Sequence, residues 1–220
     1  MSFELYKNKY EQKGYGVEYP DAHVIRFYER ILKYKLNKTS GKLLDFGCGN
    51  GTHAKYFKDK GFKVCGADIV PSLQEQWNKN VGDDSKYFNI TNETKLEDII
   101  DEKIDIIFAN QSLYYLPKDI LEQRLSSFYN ICNENAIIFA SMISTKNYYY
   151  AHSSKSDGWF RSVKLDGRLK ENCEIHFINT QKELEETFSL FKPLFVGDYD
   201  PINFYDFEGS AHHFIFIGQK

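Results

Sequence analysis

Apolar positions along the chain switch between two periods. Val24, Phe27, Tyr28, Ile31 and Leu32 recur at helical spacing behind Pro20-Asp21, with Asp21 as the N-cap candidate. After the turn-forming stretch 37–41, Leu43-Leu44-Asp45-Phe46 reads as a short strand ending in glycines. Residues 52–60 read as a helix stopped by Gly61, and 62–67 as a second strand. A further helix starts near Pro71-Ser72, since Pro suits a first turn. Residues 86–88 form a weak third strand and 95–100 a short helix. Ile104–Ala109 is a fourth strand, apolar enough to be covered on both faces. A helix over 117–132 and a fifth strand over 136–140 follow.

Strands separated by helical segments predict a parallel α/β sheet. The tail differs in kind. A helix over 181–191 precedes strands at 194–199 and 213–217 with no helix between them. They are expected to close the sheet as an antiparallel hairpin.

The composition narrows the class. The 220 residues carry 42% hydrophobic and 27% charged positions, which describes a globular chain of one domain. A net charge of −3 argues against a general nucleic-acid binder. The N-terminal residues are charged, with no apolar leader segment, and no stretch is apolar enough to span a membrane. Cys48, Cys65, Cys132 and Cys173 are scattered singly, without metal-site spacing, so no metal is expected and the compartment reads as a reducing cytoplasm. Cys48 and Cys65 sit in strand-like surroundings as small buried thiols. The unusual number is aromatic: 18 Phe, 16 Tyr and 2 Trp, enough for a bulky core, a lined pocket, or both.

The chemistry begins at Leu43-Leu44-Asp45-Phe46-Gly47-Cys48-Gly49-Asn50-Gly51-Thr52. Glycines at alternate positions let backbone approach a ligand and turn sharply into a helix N-terminus. Asp68 follows at the end of the second strand, where a carboxylate can accept both ribose hydroxyls. Together they read as a site for an adenosine-type cofactor. The dinucleotide fingerprint wants a glycine where Thr52 stands, and Asp45 is awkward beside a pyrophosphate. A Walker loop would end in Gly-Lys-Ser or Gly-Lys-Thr, which is absent here.

This block resembles the first two motifs of class I S-adenosylmethionine-dependent methyltransferases, and Asp105-Ile106-Ile107-Phe108-Ala109-Asn110-Gln111-Ser112-Leu113-Tyr114-Tyr115-Leu116 resembles their fourth. The resemblance implies a Rossmann-like doubly wound sheet of about seven strands, mostly parallel, with an antiparallel C-terminal hairpin. It also implies a single methyltransferase domain over 1–220, with an N-terminal lid and helix at 1–40. A substrate-covering insertion would occupy 141–180. Gly47, Cys48 and Gly49 would line the methionine part of S-adenosylmethionine, with Asp45 nearby. Asp68 would hold the ribose and Ile69 the adenine face, while Asn89 and Ile90 flank the adenine edge. Asn110 would approach the cofactor from strand four, and Arg26 would reach its carboxylate. Many relatives carry Asp where Asn89 stands, and His where Tyr115 stands.

The sulfonium is already activated, so the protein mainly aligns an acceptor. A hydroxyl acceptor benefits from a base, for which His176 and His152 are favoured, each with a packed or solvated structural alternative; Gln111 is the further catalytic candidate. Segment 141–170 holds Lys146, Lys155, Arg161, Lys164, Arg168 and Lys170 against Asp157 and Asp166, a net +4. Its aromatics, with Tyr15, Tyr114, Tyr115, Tyr149, Arg161 and Arg168 as substrate-binding candidates, suit a small anionic acceptor such as a nucleotide-activated sugar. RNA is the competing stacked anion. The expected activity is O-methylation in surface-polysaccharide biosynthesis, with N- or carboxyl-methylation as the near alternative. A non-catalytic cofactor-binding subunit is the reading from another class.

Overall fold

The computed structural model describes residues 18–155, 158–166, 172–201 and 209–220. The strands are β1 (Lys42–Phe46), β2 (Lys63–Asp68), β3 (Tyr87–Asn89), β4 (Ile104–Ala109), β5 (Cys132–Ile143), β6 (Ser153–Lys155), β7 (Arg161–Lys164), β8 (Asn172–Ile175), β9 (Lys192–Tyr199) and β10 (His213–Gln219). Seven of them form one sheet in the order β3-β2-β1-β4-β5-β10-β9. The first five run parallel, and β10 is antiparallel to both β5 and β9. This is the parallel α/β sheet with an antiparallel hairpin that the pattern predicts, and the doubly wound, Rossmann-like architecture that the resemblance implies. Strand order reverses between β1 and β4, which opens a crevice beyond their carboxyl ends.

The helices are α1 (Ala22–Arg26), α2 (Thr52–Asp59), α3 (Leu73–Asn80), α4 (Lys118–Ile131), α5 (Tyr148–Ala151) and α6 (Gln181–Thr187). α1 runs on as a wider π-helical segment, Phe27–Lys35. Its apolar face covers the sheet: Phe27 lies 4.6 Å from Phe139, which stacks on Phe108 at 4.9 Å. Much of the aromatic surplus is therefore core, since rings of this size dominate burial energetics. All four cysteines are buried free thiols.

Three local expectations change. Asp21 does not cap α1 through its side chain. Its carboxylate instead lies 3.5 Å from His53 Nε2 and accepts from Asn110 Nδ2 at 3.4 Å, partners that sequence distance hides. The helix expected over 95–100 shrinks to a 3-10 turn, Leu96–Asp98. The segment after β5 also has a sheet of its own, β6-β7-β8, whose Val163, Cys173 and Ile175 are buried in the main core. Among the described residues, no helix is long and apolar enough to cross a membrane.

Candidate active site

The glycine loop leaves β1 with its backbone in the left-handed region, φ 72° at Gly47 and 53° at Gly49. A Cβ on Gly47 would stand 2.4 Å from the Ser112 Cβ, so only glycine lets this loop pass the end of β4. Asp68 braces the loop from the neighbouring strand. Its Oδ2 accepts from Gly49 N–H at 2.9 Å and its Oδ1 from Val70 N–H at 3.0 Å. Burial raises the Asp68 carboxyl, and the backbone donors oppose that rise.

Asp45 lies beneath the loop, 2% exposed, and its Oδ2 has no hydrogen-bond partner. Burial pushes its carboxyl up to about 7, with neighbouring Asp68 adding to the rise and His53 opposing it. A cation arriving over the loop would supply the missing partner. The α-ammonium of S-adenosylmethionine fits that requirement.

A cleft of about 370 Å³ opens beside this loop. One side carries Gly47, Asp68, Ile69 and Ile90, and the other Gln111, Ser112, Tyr115 and Phe160. Arg124, absent from the sequence-level candidates, also lines it. Its guanidinium donates to the carbonyls of Thr94 at 2.8 Å and Thr91 at 3.1 Å, and lies 5.3 Å from the Phe46 ring centroid. No motif marks such an arginine, because its partners are backbone carbonyls on a distant loop.

Other candidates fall elsewhere. Cys48 is buried behind the loop, and Asn89 Nδ2 donates to the Asp68 carbonyl at 3.2 Å rather than lining the cleft. Asn110 turns away towards α1: its Oδ1 meets His23 Nε2 and the Ser141 hydroxyl, both at 2.9 Å. Arg26 is exposed on α1 and is not among the cleft-lining residues. His152 is exposed too, packed on Tyr148 with ring centroids 4.2 Å apart. Arg161 donates to Ser153 Oγ at 2.6 Å and its carbonyl at 3.1 Å, and covers Tyr150 at 4.5 Å. Its charge is thus held inside the small sheet. Tyr114 is buried, Tyr149 half-buried against the core, and Tyr15 and Arg168 lie outside the described residues.

His176 is buried and is not among the cleft-lining residues. Its backbone N–H donates to the Tyr114 carbonyl at 2.9 Å, and its ring stacks on Trp159 with centroids 3.6 Å apart. Nδ1 lies 3.2 Å from the Trp159 carbonyl, which can only accept. The proton therefore sits on Nδ1, and the buried Nε2 keeps an unpartnered lone pair. Burial holds this imidazole below its ordinary pKa, hence neutral at pH 7. Among the described residues, no three His, Cys, Asp or Glu side chains gather as a metal site.

Residues 18–190 match the family described as a methyltransferase domain. The chain belongs to that family. A "Methyltransferase" of Claviceps purpurea (strain 20.1) is 26% identical over 102 residues, covering 46% of this chain and 32% of that protein. The chain thus spans about a third of the curated relative it matches. A S-adenosylmethionine-dependent methyltransferase of Anabaena variabilis ATCC 29413 shares the fold, with a TM-score of 0.70 at 17% identity over 99% of this chain and 93% of its own. So does 1,6-didemethyltoxoflavin-N1-methyltransferase of Burkholderia thailandensis, with S-adenosylhomocysteine bound. Its TM-score is 0.60 at 18% identity, over 91% of this chain and 79% of its own. The fold is that of class I S-adenosylmethionine-dependent methyltransferases, whose cofactor is S-adenosylmethionine.

Proposed function

We propose that the chain transfers the methyl group of S-adenosylmethionine to a hydroxyl of a small molecule, with a sugar as the favoured class. The observation that carries this reading is a cleft that joins Asp68, Ile69 and Gly47 to Gln111, Tyr115 and Phe160. Gly47 and Gly49 would admit the methionine part of the cofactor, Asp45 would neutralise its cationic end, and Asp68 would accept from its ribose hydroxyls. Ile69 and Ile90 would pack on its adenine. Bound there, the cofactor supplies an activated methyl group.

The chain's own work is then to orient the acceptor, exclude water and take up a proton. His176 would serve the last task, being neutral with an unpartnered Nε2 and stacked on Trp159, the chain neighbour of cleft-lining Phe160. The Tyr115 and Phe160 rings suit the apolar face of a sugar. Support for a nucleotide-activated, anionic sugar is reduced to the +4 charge of segment 141–170, because Arg161 is committed to Ser153 and Tyr150. Polysaccharide biosynthesis rests on the sequence resemblance, and a cytoplasmic site of action on the singly scattered cysteines. A ring nitrogen is the second acceptor, favoured by the flat walls of Phe46, Tyr115 and Phe160 and by the N1-methyltransferase among the fold's relatives.

The test is calorimetry followed by mass spectrometry. S-adenosylhomocysteine is expected to bind with heat, and methyl-labelled cofactor to mark a hydroxylated metabolite in a cell extract. Absence of cofactor binding would sink the proposal. Binding with no methyl transfer to sugars or sugar nucleotides would favour a regulatory subunit.

A further inference from the structure

Gln111 stands at the lip of the cleft with φ 52°, a left-handed conformation that a glutamine adopts only when its surroundings hold it there. Two contacts do so. Its backbone N–H donates to Ser141 Oγ at 2.7 Å, and its Nε2 meets the Tyr199 hydroxyl at 2.8 Å. The Tyr199 ring is fixed in turn between two imidazoles. His23 stacks on one face with centroids 3.8 Å apart and 15° between planes, and His213 lies at 5.1 Å and 4°. His213 is also the cross-strand partner of Tyr199 in the β9–β10 ladder.

The protons in this network have one consistent order. The Asp21 carboxylate can only accept, so the Asn110 amide turns Nδ2 towards it and leaves Oδ1 as an acceptor. Ser141 spends its single proton on that Oδ1, at 2.9 Å. Burial pushes the Tyr199 phenol far up, so it keeps its proton. The Tyr199 oxygen accepts from Gln111 Nε2–H at 2.8 Å, which sets that side of the amide. Among the described residues nothing donates to Gln111 Oε1, and Gln111 lines the cleft.

We infer that Tyr199 is a positioning residue that turns the Gln111 carbonyl oxygen towards the acceptor, so that the site selects a nucleophile carrying its own hydrogen, a hydroxyl or N–H, over a carboxylate. This rests on the methyl-transfer reading above. A hydroxyl or N–H that donates to Oε1 has its lone pair oriented by that bond, whereas a carboxylate meets a carbonyl dipole of the wrong sign. His23 and His213 act one step further out, by holding the Tyr199 ring.

The test separates this order of protons from the methyltransferase reading. In ligand-free, 15N-labelled protein, one Gln111 side-chain amide proton is expected to exchange at least about fivefold more slowly than those of exposed Gln74. Tyr199→Phe keeps the ring between its imidazoles and removes only the oxygen. It is expected to abolish that protection while leaving S-adenosylhomocysteine affinity within about twofold. Protection that survives in the Phe variant, or is absent from the parent, would overturn the inference. In the labelled-extract experiment the methyl group is expected in an ether or N-methyl product. A methyl ester, released by mild alkali, would overturn the acceptor preference. A protein that binds no S-adenosylhomocysteine fails as a methyltransferase, and the exchange result still decides whether Tyr199 orients Gln111.

Discussion

Asp68 Oδ2 accepts from the Gly49 backbone N–H at 2.9 Å, tying the end of β2 to the glycine loop at the end of β1. One carboxylate thus shapes the loop and faces the cleft. Asp68→Ala strands the Gly49 and Val70 donors at a cost of about 1–3 kcal/mol each. The variant is expected to melt lower and to bind S-adenosylhomocysteine more than about tenfold more weakly. Asp68→Asn keeps one acceptor oxygen and should fall between the two. Scanning calorimetry and isothermal titration check both, and unchanged affinity in the Ala variant would remove Asp68 from the cofactor site.

Asp45 sets a pH dependence. Its folded-state carboxyl sits at about 7, above the ordinary carboxylate range, so the folded chain holds a proton that the unfolded chain releases near pH 4. That contribution is present below pH 4 and is lost as pH rises through about 7. Asp45→Asn is expected to match the parent near pH 4 and to be more stable at pH 8, by urea unfolding without ligand. Cofactor binding near pH 6 should release a proton in the parent and none in the variant, read from titration heats in two buffers of different ionisation enthalpy.

Gly47 offers a test of close approach. Gly47→Ala carries both a φ of 72° and a 2.4 Å clash with Ser112 Cβ. Ser112→Gly in the same chain relieves the clash and leaves the backbone strain, at a cost of about 1 kcal/mol. The single variant is expected to lose S-adenosylhomocysteine binding and the double variant to regain part of it. Equal failure in both would place the whole effect on the backbone.

How much of this was legible in the sequence depends on the range of the contact. The sheet, the glycine loop and Asp68 follow from local runs, because apolar strands and glycine turns leave short-range marks. The β6-β7-β8 sheet does alternate, with Cys173 and Ile175 buried between exposed Asn172 and Glu174, but four-residue strands with polar outer faces are too short to stand out. Side-chain direction was the larger gap. Arg161 stood in the basic, aromatic stretch, yet its guanidinium closes on Ser153 across the hairpin. The His23–Tyr199–His213 stack joins three distant parts of the chain, and no spacing rule connects them.

His176 separates packing from chemistry. His176→Phe keeps a ring on Trp159 and removes the lone pair at Nε2. Turnover of a hydroxyl acceptor is expected to fall by about 10²–10⁴, with S-adenosylhomocysteine affinity unchanged. Because burial holds the imidazole below its ordinary pKa, the parent rate should stay flat above pH 7. A Phe variant with parental turnover would send the search for the base to His213, whose buried Nε2 also lacks a partner.

Arg124 gives the sharpest prediction about the cleft wall, because its guanidinium spans two jobs. It holds the carbonyls of Thr91 and Thr94, and it covers the Phe46 ring that lines the same cleft. Arg124→Lys can serve one carbonyl as a point charge but lacks the fork, and Arg124→Met serves none. Thr91 is exposed and Thr94 half-buried, so each lost bond costs about 0.5–1.5 kcal/mol, and melting should fall in the order Arg, Lys, Met. Thr91 and Asn92 line the cleft next to Ile90, so S-adenosylhomocysteine affinity should weaken in the same order. Combining Arg124→Met with Phe46→Leu isolates the ring contact. A coupling of about 0.5–2 kcal/mol is expected for a guanidinium held against an aromatic face. Additive effects would mean that Arg124 acts through the 91–94 loop alone.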